Sequence, residues 1–174
     1  MMKKNINWIY KVFLLSFILS IIFSGISSMM INYFNSIILI IVLLVVISIG
    51  IVFDMVGVAV LTSNESNLHA KASKKIKGAK EAISLIKNAT RVSSICNDVI
   101  GDICGIVSGS LGAFLTIIIC NKFALPNTIV TMIVTAVVSA LTVGFKAVFK
   151  SVAIKNSDSI VLTVGKIKNF LKLK

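Results

Sequence analysis

Histidine, proline and tryptophan each occur once in these 174 residues, and cysteine three times. Acidic residues are also scarce, six against 18 lysines and arginines. Each shortage removes a class of chemistry. His69 alone, with the scattered Cys96, Cys104 and Cys120, offers no spacing for a soft-metal site. The odd cysteine count implies no disulfide framework, and thiols in or beside one apolar run behave as small hydrophobes. The sequence carries no phosphate loop, no serine elbow and no histidine close to a plausible nucleophile, so no enzyme is expected. His69 reads as a surface residue of a basic helix.

Charge is missing over whole stretches. Residues 12–53, 103–121 and 123–145 carry no Asp, Glu, Lys or Arg. Each run is close to the ~20 residues an α-helix needs to cross hydrocarbon, and the first is long enough for two passes. Hydrophobic residues make up 57% and mean hydropathy is +1.02, too apolar for a soluble domain of this length. The expected fold is an all-α integral membrane protein with four transmembrane helices, over residues 8–30, 36–61, 98–120 and 128–149. Trp8 and Tyr10 would sit at an interface; Asn32, Tyr33 and Asn35 would turn the first span into the second. The return loop, 122–127, holds Pro126. No small-residue cleavage site ends the first apolar run, so it reads as a retained span.

Between spans two and three, residues 62–94 turn polar and read as an amphipathic helical hairpin. Asn64, Glu65 and Ser66 carry helix-start signals, and Gly78 interrupts the pattern. Ala79, Ala82, Ile83 and Ile86 form an apolar stripe opposite Lys80, Glu81 and Lys87; Leu68, Ala72 and Ile76 form a weaker one. In the tail, Ile160, Val164, Ile167 and Leu171 recur at helical spacing among Lys166, Lys168 and Lys172. That pattern predicts a basic C-terminal interfacial helix.

The net charge of +12 does not point to nucleic acid, because its distribution follows the spans. Basic residues gather at Lys3, Lys4 and Lys11, at 71–91 and at 146–174, while the two short outer loops hold only Lys122. Positive residues mark the cytoplasmic side and attract anionic lipid heads. Both termini and the hairpin are therefore expected on the cytoplasmic side of the cell membrane, with the lipid bilayer as partner.

Three of the six acids fall in or at the spans. Asp98 and Asp102 lie one helical turn apart in NDVIGDICGIVSG, residues 97–109, and Asp54 lies near the inner end of span two. A carboxylate at a helix centre costs roughly 2.5 to 3.5 kcal/mol on insertion scales, so such acids read as functional by default. Magnesium takes oxygen ligands, and Asp54, Asn97, Asp98, Asp102 and Ser108 supply them at this end of the spans. Gly101, Gly105 and Gly109 share a helix face, which admits close helix packing and offers a face for a homodimer. Structural readings stand beside these. Asp98 would cap span three, Asp102 would pair with Lys146, and Asp54 would pair with a hairpin lysine.

The order of features over residues 40–170 resembles the transmembrane domain of the CNNM/CorC (CorB-like) family, associated with magnesium and cobalt transport. GAKEAISLIKNATR, from Gly78, is similar to that family's hairpin pattern. CNDVIGD, from Cys96, falls where it carries an asparagine-rich motif. FKSVAIKNSDSIVL, from Phe149, resembles its Pro-Lys-x-x-Ala-x-basic-Asn segment through Lys150, Ala153 and Asn156. The family's small-residue and glutamate motif corresponds to FDMVGVAV here, where Asp54 is the acid; Lys146 and Phe149 replace an acid and a proline. The resemblance implies a family-like membrane domain over 36–174 behind an extra helix and turn over 1–35, and a role in binding or moving magnesium, with cobalt second. The regulatory CBS pair of the full transporters has no counterpart among these residues. That favours the alternative, a non-transporting scaffold or accessory subunit that binds lipid or a partner protein.

Overall fold

A computed structural model describes residues 2–33, 36–124 and 126–171, without the side chains of 2–9, 11, 27, 28 and 30–33. The side chains of Trp8, Asn32 and Tyr33, the basic Lys3, Lys4 and Lys11, and Asn35, Lys172 and Lys174 therefore lie outside the description. The described residues are helical, with no strand among them. Helices run over Met2–Tyr33 (α1), Ser36–Thr62 (α2), Glu65–Ser73 (α3), Ala79–Lys87 (α4), Ala89–Ser94 (α5), Asp102–Phe123 (α6), Asn127–Lys155 (α7) and Ser157–Phe170 (α8). A π-helical segment, Ile95–Gly101, joins α5 to α6. Three stretches are long and apolar enough to cross a bilayer: Ser36–Thr62, Ala89–Phe123 and Asn127–Lys155. That is the signature of a membrane protein. In α1 the apolar stretch Val12–Ile26 is shorter.

The chain divides into two compact units, Met1–Gly50 with Val99–Gly144, and Ile51–Asp98 with Phe145–Lys174. In the first, α1 packs along α6. Buried Leu39, Leu43 and Ile47 line one face of α2, and Ile103, Val107, Leu111 and Leu115 line one of α6. Spacing by four keeps each row on one side of its helix. A Cβ on Gly50 would come within 2.9 Å of the Cys104 Cβ, so the glycine sets that approach; one on Gly112 would meet Val138 and Val134 at ordinary contact. The outward faces carry Ile37, Ile41, Val45, Ile129, Ile133 and Val137, as a helix facing lipid requires. Hydroxyls in these helices turn inward on the backbone: Ser48, Ser110, Thr131 and Thr135 each donate to the carbonyl four residues earlier.

The second unit has a small core to which α2, α3, α4, α7 and α8 all contribute. Ala59 and Val60 of α2, Leu68 of α3, Ala82 and Ile83 of α4, Ala153 of α7 and Val161 of α8 are buried together. On α4, Ala79, Ala82 and Ile83 are buried and Lys80 and Lys87 exposed, as the stripe predicts, while Ile86 and Glu81 are both partly buried. Asn64 caps α3 by accepting a hydrogen bond from the Ser66 N–H at 2.9 Å. The turn into α4 passes through Lys75 (φ 54) and Gly78 (φ 83), with the Ile76 N–H donating to the Lys71 carbonyl at 3.2 Å.

α8 packs on the protein through its small-residue face. Ser157, Val161 and Gly165 face inward, whereas Ile167 and Leu171 are exposed. The reason is Gly165. A Cβ there would collide with the Gly78 carbonyl oxygen and reach within 2.9 Å of the Ala82 nitrogen. Glycine thus brings the α8 backbone against α4, and the small-residue row packs in place of the branched one. Asp158 fixes the other end, accepting from the Asn64 N–H at 2.9 Å and from Asn67 Nδ2 at 2.7 Å.

Candidate functional site

The π-helical segment reads ICNDVIG and contains both Asn97 and Asp98. In a π turn the hydrogen bond reaches one residue further than in an α-helix, so the turn is wide and its register shifts; such turns recur at functional sites. Asp98 therefore lies inside a continuous helical run, Ala89–Phe123, and does not cap the start of a span.

Asn97 is the most constrained polar side chain here. Its Nδ2 donates to Ser93 Oγ at 3.3 Å, and Ser93 is itself buried. Its Oδ1 is buried and has no hydrogen-bond partner among the described residues. That oxygen points at Gly57 of α2, where a Cβ would overlap it outright. An amide carbonyl withdrawn from water without a donor costs about 1–3 kcal/mol, so an orphan of this kind calls for an explanation.

Asp54 lies one turn before Gly57 on α2, and its Oδ1 is 4.0 Å from Lys146 Nζ. Both side chains are partly buried. The partner differs from the pairings the sequence predicts. Lys146 meets Asp54 and not Asp102, and Asp54 meets a lysine of α7 and not one of the hairpin. Asp98 and Asp102 are exposed. Ser108 is buried, and its hydroxyl donates to the Gly105 carbonyl at 3.0 Å, which leaves its lone pairs as acceptors.

Asp54, Asn97 and Asp98 thus belong to the second unit, and Asp102 and Ser108 to the first. Among the described residues no three His, Cys, Asp or Glu side chains gather closely enough to hold a metal ion. What comes together instead is the amide of Asn97, the hydroxyl of Ser93 and the bare Cα of Gly57, in a widened helical turn. Neutral oxygens of this type are ligands for hard cations. The Gly105 and Gly109 positions of the glycine row face open space, with nothing within 4 Å of a Cβ built there.

Sequence reasoning passed over Gly57, Ser93 and the Asp54–Lys146 pair. Gly57 and Ser93 left a faint signal: a glycine within an apolar span, three residues after its one acid, and a serine one turn before Asn97. Lys146 stood out only as a lysine at comparable depth to an acid. Compared with known proteins, the chain matches no family model, no curated protein and no solved structure.

Proposed function

We propose that this chain is a four-span protein of the cytoplasmic membrane, with α1 as the extra span and both termini inside, that binds or moves a divalent cation. Magnesium is the preferred ion, with cobalt second. The observation that carries the reading is Asn97 Oδ1, an acceptor buried without a donor in a π-helical turn. A bound cation would satisfy that oxygen. Ser93 Oγ stands beside Asn97, and Asp54 and Asp98 of the same unit would supply negative charge. The resemblance to the CNNM/CorC membrane domain supports the same reading, since the Asn97 string falls at that family's asparagine-rich motif.

A second reading is a scaffold or accessory subunit that moves no ion. The Asp54–Lys146 contact favours it, because an ammonium group already balances one of the three acids on which a cation would rely. Thermal unfolding of the detergent-purified protein against magnesium concentration separates the two. A ligand bound only to the folded state stabilises it by about 2.7 kcal/mol at ~100-fold excess over Kd. The cation reading expects a saturable rise that Asn97→Ala abolishes and Asp98→Asn/Asp102→Asn weakens. A flat response in the native protein, with the variants equally stable, favours the scaffold.

A further inference from the structure

In the second unit, the α3–α4 turn and the last turn of α8 line an open cleft of about 870 Å³. Lys77, Lys166 and Asn169 line it together with Ile76, Ile167, Phe170 and Leu171. These are two cations, one amide and four large apolar side chains, and no acidic residue is among the lining. Neither lysine pairs with a carboxylate among the described residues. All four apolar side chains are exposed, Phe170 at 87%.

The two lysines are far apart in sequence and are brought together by the glycine contact. A Cβ on Gly78 would lie 2.5 Å from the Lys166 nitrogen and 2.7 Å from its Cα. The backbones therefore touch where Lys77 and Lys166 leave them. The same contact turns the small face of α8 inward and leaves Ile167, Phe170 and Leu171 along the cleft wall. A cationic pair above an exposed apolar wall is complementary to an anion that carries a hydrocarbon chain.

We infer that this cleft binds the headgroup of an anionic phospholipid, with the phosphate between Lys77 and Lys166 and the upper acyl chain along Ile76, Ile167 and Phe170. Tethering favours lipid over a soluble acidic peptide. α8 starts two residues after the candidate span Asn127–Lys155 ends, and α3 starts three residues after Ser36–Thr62 ends. A 14-residue helix is only about 21 Å long, so the cleft stays within about that distance of the spans' ends. Lipid is then present at high effective concentration, whereas a peptide must be recruited from solution. Lys74, Lys75 and Lys168 lie within three residues of lining residues along the chain and add to the positive charge at this end of the hairpin and tail. The inference is independent of any ion at Asn97.

The test is native mass spectrometry of the full chain in detergent, titrated with phosphatidylglycerol or phosphatidylcholine. The native protein should retain phosphatidylglycerol in clear preference. Each lysine near an anionic lipid contributes about fivefold, so Lys77→Gln/Lys166→Gln should weaken that binding about thirtyfold. Both lysines are exposed, so folding should survive, which circular dichroism checks. Lys80→Gln/Lys87→Gln removes the same charge outside the cleft and should leave most of the preference intact. Phe170→Ser should lower retention with charge unchanged. Equal binding of the two lipids, equal loss in both lysine pairs, or displacement by millimolar inorganic phosphate would each overturn the inference.

Discussion

Asn97 and Gly57 depend on each other sterically. The amide reaches its buried position only because position 57 has no Cβ, so Gly57→Ala should push it aside. Overpacking of this kind costs about 1–3 kcal/mol. On the cation reading it should also abolish the magnesium-dependent rise in unfolding temperature, and an unchanged rise would separate Asn97 from the ion. Asp54 makes a second residue-level case. Asp54→Asn leaves the Lys146 ammonium partly buried and uncompensated, with an expected loss of about 1 kcal/mol, and Asp54→Asn/Lys146→Met should recover most of it. Denaturation of the two variants side by side measures the difference. Lys75, in the left-handed region at φ 54, bears a strain that glycine would not. Lys75→Gly should raise stability by about 1 kcal/mol, read as a higher unfolding midpoint.

Among the elements, α8 packs on the protein through a face that its apolar period does not mark. Periodicity weighs hydrophobicity alone, and by that measure Ile160, Val164, Ile167 and Leu171 make the better face. Packing also weighs distance of approach, and Ser157, Val161 and Gly165 allow the closer one. Gly165→Leu should therefore separate α8 from α4 and destabilise the second unit by about 1–3 kcal/mol or more, whereas Ile167→Ser should be nearly neutral. Hydrogen exchange on α4 and α8 reports the difference directly. Leu68, fully buried in the same core, should cost about 2–5 kcal/mol when cut to alanine. The π-helical segment is an element of another kind. Nothing in the letters ICNDVIG distinguishes it from α-helix, because one extra residue in a turn is a choice made by the helices it packs against.

For the whole molecule, the proposed arrangement of four spans with both termini inside makes a labelling prediction. Single cysteines at Lys168 and within the hairpin at Lys80, in a background without native cysteines, should be shielded from an impermeant thiol reagent in intact cells. A cysteine at Lys122 should be labelled. Labelling of Lys80 with protection of Lys122 would invert the topology.

Composition and charge distribution alone determined the all-helical class, the apolar spans and the polar segment between them. Those features follow from averages over many residues, since a long uncharged run has few alternatives to a membrane helix. The hairpin's inner stripe at Ala79, Ala82 and Ile83 was legible for the same reason, as a repeated period. Tertiary structure alone decided which groups meet. It set Lys146 on Asp54, Asn97 on Gly57, Asp158 on the Asn64 cap, and Gly165 on Gly78. Each is a single contact between residues distant in sequence, made possible in two cases by the absence of one Cβ. A missing side chain leaves no mark on a hydropathy pattern; it acts only when another helix arrives to fill the space.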